Sequence, residues 1–315
     1  MSLIYVGVML LVKPWKPDAV VRLLVSVFVC VYSGALLMSL LRFSDTGSKS
    51  SAAMIFLLAA ASLLCLGATL VFIAKPWQLE NFMRRVIAML VFFYAGLFLG
   101  AWVQKLAGPA PSGTSVGQMI VAALSFQGAV VLLVARFLKQ HQVGWTEAFG
   151  FSNRLRGALL GGILLAILFL PVAWGLQQAC AQLLTYFERF GIKPQQQPAI
   201  EALQQADSWG SRVFLGLVTI LLAPFAEELL FRGILYPWIK QAGFPRLALW
   251  ATSLVFAAIH GNFVIFLPLL LLALLLTLLY EKTNNLLAPI TAHGLFNAMN
   301  FTMLYLLQGQ QGRLQ

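Results

Sequence analysis

Charge is scarce in this sequence: Asp, Glu, Lys and Arg make up 10% of its 315 residues, against 60% hydrophobic residues. A soluble domain carries about 25% charged residues and about 45–50% apolar ones, so a soluble globular reading fails. Acidic residues are scarcer still, 10 against 21 Lys and Arg, for a net charge of +11. The basic residues lie in short segments between apolar runs, and no basic stripe interleaves with aromatics. That excludes nucleic acid as a partner and matches the positive-inside pattern of membrane proteins. Cysteine is nearly absent. Cys30, Cys65 and Cys180 sit in or beside apolar runs without metal-ligand spacing, as small core residues that carry no redox signal. No Gly-x-Ser-x-Gly elbow and no His-Glu-x-x-His helix occurs, which sets aside the common serine-hydrolase and zinc-protease signatures.

What is present is apolar sequence in long runs, with a mean hydropathy of +0.86. Runs of about 20 apolar residues are the length that crosses a hydrocarbon core of roughly 30 Å. The expected fold is an all-α, polytopic transmembrane bundle of about 8–9 spans, counting runs as membrane-length, near 20–41, 52–74, 86–106, 116–137, 157–179, 210–238, 246–260, 262–280 and 286–307. The opening run Met1–Val12 is too short to cross and lacks a basic signal-peptide start. Lys13-Pro14-Trp15 recurs as Lys75-Pro76-Trp77, and at the same offset Arg22 matches Arg84, Tyr32 matches Tyr94 and Gly34 matches Gly96. The match suggests a duplicated helix–turn–helix unit whose first copy begins midway through a helix. Three regions follow: 1–138 with the repeat, 139–209 with one span and an external loop, and 210–307. Placing the first Lys-Pro-Trp turn in the cytoplasm puts most Lys and Arg there, including Lys13, Arg22, Arg84, Arg136, Lys139, Arg154, Lys240 and Lys282.

Ionisable groups inside a membrane are costly and default to a functional reading. Here they gather in three late helices. Glu227, Glu228 and Arg232 follow Pro224 on one; Phe256 and His260 end the next; His293 and Asn297 lie on the last. Glu228 and Arg232, four residues apart with the acid first, suit a helical ion pair. Glu227, turned about 100° around the helix, is then left to face a cavity. His293 and Asn297 share a face by the same spacing, and Phe256 sets a ring beside His260. Counting about 1.5 Å per residue from the cytoplasmic ends puts Glu227 roughly 18 Å deep, His260 roughly 21 Å, Asn297 roughly 16 Å and His293 roughly 10 Å. Four polar groups on three helices thus converge in depth. Interhelical glue is the bland alternative for any one of them, since such a bond contributes about 1 kcal/mol or less. Pro224 is either a simple kink or a break that opens the helix just before the acids. The third histidine, His141, falls in a basic cytoplasmic loop and is expected to be solvated.

The chemistry on offer is hydrolysis by an activated water. A carboxylate in a low-dielectric cavity is a better base than one in water. Glu227 is the candidate base, with His260 holding the water and His293 and Asn297 donating to an oxyanion. Alternatively, Glu227, His260 and His293 supply three ligands to one divalent metal such as Zn, with a position left open. The sequence leaves both open, so the cofactor is either none or that metal.

In these residues the chain resembles the CAAX protease and bacteriocin-processing family of intramembrane proteases, also called type II CAAX prenyl endopeptidases or the abortive-infection family. The hallmarks stand in order: Glu227-Glu228 with Arg232, Phe256 with His260, and His293 with Asn297. The stretch Thr283-Asn284-Asn285-Leu286-Leu287-Ala288-Pro289-Ile290 is similar to the segment that precedes the third motif. The resemblance covers roughly 210–300. It implies an endopeptidase with Glu227, His260 and His293 as catalytic residues and Asn297 assisting, in a family commonly labelled metalloproteases. Its substrates would be membrane proteins or peptides, prenylated in eukaryotic relatives and linked to bacteriocin maturation or self-immunity in some bacterial ones. The implied location is a bacterial cytoplasmic membrane, in contact with its lipid. Two other readings compete: a non-catalytic scaffold or immunity factor, and a transporter or proton relay. Transporter repeats normally include the site, whereas this repeat lies upstream of it.

Overall fold

The fold is all-helical across residues 15–45, 116–188 and 208–311, the parts described by the computed structural model. The expected spans at 52–74 and 86–106, the second copy of the repeat and the loop at 189–207 lie outside those residues. In chain order the helices are α1 Pro17–Asp45, α2 Val116–Ala123, α3 Ala129–His141, α4 Trp145–Phe149, α5 Leu155–Glu188, α6 Trp209–Leu217, α7 Ala223–Glu228, α8 Tyr236–Gln241, α9 Pro245–Ala258, α10 Phe263–Thr283 and α11 Leu287–Gln311. Three wider π turns interrupt the series: π1 Leu124–Gly128, π2 Val218–Leu222 and π3 Leu229–Leu235. Through π2 and π3, helices α6, α7 and α8 form one continuous rod, Trp209–Gln241, of 33 residues.

The protein is a multi-pass integral membrane protein. Among the described residues, five helices are long and apolar enough to cross a bilayer: Pro17–Ala35, Met119–His141, Leu155–Thr185, Trp209–Gln241 and Phe263–Thr283. This is fewer than the eight or nine expected, two of which lie outside the described residues. The run expected at 246–260 is a helix of only 14 residues that stops at Ala258, about 21 Å at 1.5 Å per residue. Helix α11 has 25 residues, but His293, Asn297 and Asn300 dilute its apolarity, and it falls outside the five.

The chain divides into two compact units, one of Lys16–Leu133 and one of Met1–Trp15 with Val134–Gln315. In the first, α1 packs on α2 and π1. Contact is close because the residues are small: a methyl on Gly34 would fall 2.1 Å from Ser125 Cβ. Small residues at the seam are how helices associate where lipid offers no hydrophobic drive.

The second unit uses the same device on a larger scale. Along α5, Ala158, Gly162, Ala166 and Ala173 point inward, whereas Leu160, Leu164 and Leu168 are 66%, 58% and 61% exposed. Large residues outward and small ones inward is the order expected of a lipid-facing helix. Gly162 sits against α11, where a methyl would come within 2.6 Å of the Ala288 carbonyl oxygen. Helix α5 therefore lies tightly along α10 and α11, the helices that back the site.

Ends and turns follow local chemistry. Ser208 caps α6, accepting from Ser211 N at 3.1 Å, and Asn262 caps α10, accepting from Val264 N at 2.9 Å; both are favoured N-cap residues. Asn284, at φ +49°, ends α10 in the left-handed region, where Asn is one of the tolerated residues. Asn285 then caps α11 by accepting from Leu287 N at 2.9 Å. Its amide donates to the carbonyls of Phe151 at 3.2 Å and Asn153 at 2.7 Å. The 283–287 turn thus pins the segment that follows α4, and Leu286 N donates to the Phe149 carbonyl. His141 is not solvated as expected. It ends α3 with its ring 5.4 Å from Trp15 and 4.2 Å from Phe137, and Nδ1 bonds the Phe137 carbonyl at 2.8 Å.

Candidate active site

Four elements bring the site together: α7 with π3, the end of α9, α10 and α11. Glu227 and Glu228 close α7, and both are buried. Arg232 lies in π3, 1% exposed, and forms the expected ion pair with Glu228, which is wholly buried, Nη1 to Oε1 at 2.8 Å. It also donates from Nη2 to the Ala273 carbonyl at 2.9 Å and from Nε to Thr277 Oγ1 at 3.3 Å. Its guanidinium carbon stands 4.8 Å from the centre of the Phe256 ring. A buried cation is tolerable only when its donors and charge are matched in this way.

The sequence spacing did not reveal that the same Glu228 oxygen binds a second partner. His293 Nδ1 lies 2.9 Å from Glu228 Oε1. An ionised carboxylate only accepts, so the Nδ1 proton goes to Glu228, and this fixes the ring and leaves Nε2 facing Glu227. That Nε2 is 3.9 Å from Glu227 Oε2. Among the described residues, Oε2 of Glu227 and Oε2 of Glu228 are buried with no hydrogen-bond partner. Buried polar atoms nearly always have one, so an unpartnered carboxylate oxygen facing an imidazole marks a place for another polar group.

His260 was expected to close a span. It lies instead in the turn between α9 and α10, where Gly261 at φ +62° reverses the chain. Its Nδ1 is 2.7 Å from the Phe256 carbonyl; since a carbonyl only accepts, Nδ1 carries the proton and Nε2 is left over. Phe256 is the common neighbour of the group. Its ring centre is 5.0 Å from His260, 5.6 Å from His293 and 5.3 Å from Phe231. Both imidazoles lie within electrostatic reach of Glu227.

Asn297, expected as an oxyanion donor, has at least one of its two amide hydrogens engaged by the backbone. Its Nδ2 donates to the backbone carbonyl of Thr219 at 2.9 Å, one helical turn beyond His293 on α11. The three-ligand metal set of Glu227, His260 and His293 does not form. Among the described residues, no three His, Cys, Asp or Glu side chains are grouped to hold a metal ion, although the Nδ1 bond of His293 to Glu228 leaves Nε2 open to a ligand.

Comparison with known proteins finds bacterial relatives and a matching family model. The uncharacterized protein YpbD of Bacillus subtilis is 41% identical over 86 residues, covering 26% of this chain and 41% of that protein. The UPF0177 protein YxdF of Lactococcus lactis is 31% identical over 88 residues, 28% of this chain and 48% of that protein. The chain thus spans less than half the length of these two bacterial relatives. No solved structure matches. Residues 209–299, the stretch that holds Glu227, Glu228, Arg232, Phe256, His260, His293 and Asn297, carry a domain that matches the family model described as Type II CAAX prenyl endopeptidase Rce1-like.

Proposed function

We propose that this protein is an intramembrane endopeptidase that hydrolyses a peptide bond of a membrane-associated protein or peptide, with Glu227 as the base that activates water. The observation that carries the reading is the Glu227 carboxylate: buried, with Oε2 unpartnered, and 3.9 Å from His293 Nε2. A water beside these groups would find an acceptor in the carboxylate and, with His293 protonated, a donor in Nε2. Glu227 takes a proton as the water oxygen adds to the carbonyl carbon of the substrate. The same proton passes to the amide nitrogen as the C–N bond breaks, giving a carboxylic acid and an amine. His260, with Nδ1 tied to the Phe256 carbonyl, uses Nε2 to hold the water. His293, its ring fixed by Glu228 and a second proton taken up from solvent before the water binds, donates to the oxyanion from Nε2.

The location proposed is the cytoplasmic membrane of a bacterium, consistent with its bacterial relatives. A prenylated C-terminal peptide is the first substrate to test, because the matching family is described as a prenyl endopeptidase. Detergent-purified protein is assayed on a library of membrane peptides with and without a prenyl group. Glu227→Gln and His260→Ala are each expected to lose about 10²-fold or more in rate, the usual contribution of a positioned base. Undiminished cleavage by both variants ends the proposal.

A further inference from the structure

We infer that Asn297 is a positioning residue: with Gly294, it clasps the two backbone carbonyls that Pro224 leaves open in the Glu227-bearing helix, and so sets Glu227 against His293. The inference rests on the reading of Glu227 as the base.

The gap arises from local covalent structure. In a regular helix the carbonyls of Thr219 and Ile220 would accept from the N–H groups of residues 223 and 224. Ala223 N instead donates to the Val218 carbonyl, five residues back, which closes π2. Residue 224 is proline and has no N–H. Both carbonyls, about two turns before Glu227, therefore lose their regular donors in an environment where no bulk water replaces them.

Helix α11 fills the gap from the side. Asn297 Nδ2 donates to the Thr219 carbonyl at 2.9 Å. The Ile220 carbonyl lies so close to Gly294 that a methyl there would sit 2.9 Å from its oxygen. His293, the residue next to Gly294, is the one that faces Glu227. The helix that holds the break is thus the helix that presents the imidazole, and one rigid body fixes both partners. An asparagine suits the task because the acceptor is a carbonyl: an ionised Asp has no proton to give, and Leu, of similar size, has no donor.

The test is a double-mutant cycle in full-length, detergent-purified protein. Asn297→Leu is expected to lower kcat by about tenfold or more with KM little changed. In the five-residue register of π2, an N–H restored by Pro224→Ala reaches the Thr219 carbonyl that Asn297 binds, so the same Asn297→Leu change in that background should cost about threefold or less. Glue without a positioning role would leave kcat per folded molecule unchanged. An equal loss of kcat in both backgrounds would place Asn297 on the reacting atoms and overturn the inference, as would no loss in either. A parallel cycle of thermal unfolding in the Glu227→Gln background is independent of catalysis. Coupling there with no cleavage by the wild type would sink the peptidase reading and leave the clasp standing; additivity would sink the clasp. Should Pro224→Ala not fold, Gly294→Ala, which presses on the Ile220 carbonyl, must lower kcat, and an unchanged kcat overturns the inference.

Discussion

His293 and Glu228, 65 residues apart in sequence, meet at 2.9 Å through Nδ1 and Oε1. Because Arg232 binds that same oxygen at 2.8 Å, the apparent i,i+4 ion pair is a three-residue chain that ends on an imidazole. Glu228 is therefore both the counter-ion of a buried guanidinium and the orienting partner of His293.

Glu228→Ala should be the most damaging single change near the site. It leaves Arg232 as an uncompensated buried charge, a loss of about 3–5 kcal/mol in comparable cases. The expected result is a marked fall in unfolding temperature in detergent, with no cleavage by the fraction that remains folded. Wild-type stability in this variant would show that Arg232 has another counter-charge.

Arg232→Lys is expected to behave as a disruptive change despite keeping the charge. A single ammonium cannot reproduce the planar fork that reaches Glu228, Ala273 and Thr277 together. Loss of buried hydrogen bonds of this kind costs about 1–3 kcal/mol. Thermal unfolding measures it directly, and a shift within error of wild type contradicts the assignment.

Phe256→Ala removes the ring shared by Arg232, Phe231, His260 and His293. A cavity of this kind costs about 3–5 kcal/mol, and both imidazoles gain freedom. Phe256→Leu should recover most of the stability, but less of the cleavage rate. Equal recovery of both would reduce the ring to a space filler.

Asn285→Ala tests support far from the chemistry. The side chain accepts from Leu287 N and donates to the Phe151 and Asn153 carbonyls. Its loss uncaps α11 and frees the segment after α4, which should cost about 2 kcal/mol or more. Hydrogen exchange at residues 149–154 should rise selectively; uniform protection would contradict the link.

Much of this was legible in the residues. Low charge and long apolar runs fixed a membrane-spanning, all-helical chain, since only helices or closed barrels satisfy a backbone in lipid. The rarity of His, Glu and Arg in the late spans singled out the site, and the i,i+4 spacing of Glu228 and Arg232 predicted their pairing. Apolarity alone overstated the number of clear crossings. It cannot register that α9 stops at Ala258, where Gly261 turns the chain and places His260 in a connection. Nor could it foresee that His141 would pack against Trp15, a partner from a distant part of the chain.

What the sequence determined by itself was the inventory: which stretches are apolar enough for a membrane, which few ionisable groups lie in them, and where Pro224 withholds a donor from the helix. Only the tertiary structure decided which groups use that chemistry on each other. Glu228 turned to His293, Asn297 to a backbone carbonyl, and Glu227 Oε2 was left without a partner. The reason is physical. Periodicity along one helix fixes the direction of a side chain about that helix's own axis, whereas a contact depends on the axial register and approach of a second helix. Here that register is set by small residues such as Gly162 and Gly294, whose role is visible only once their neighbours are in place.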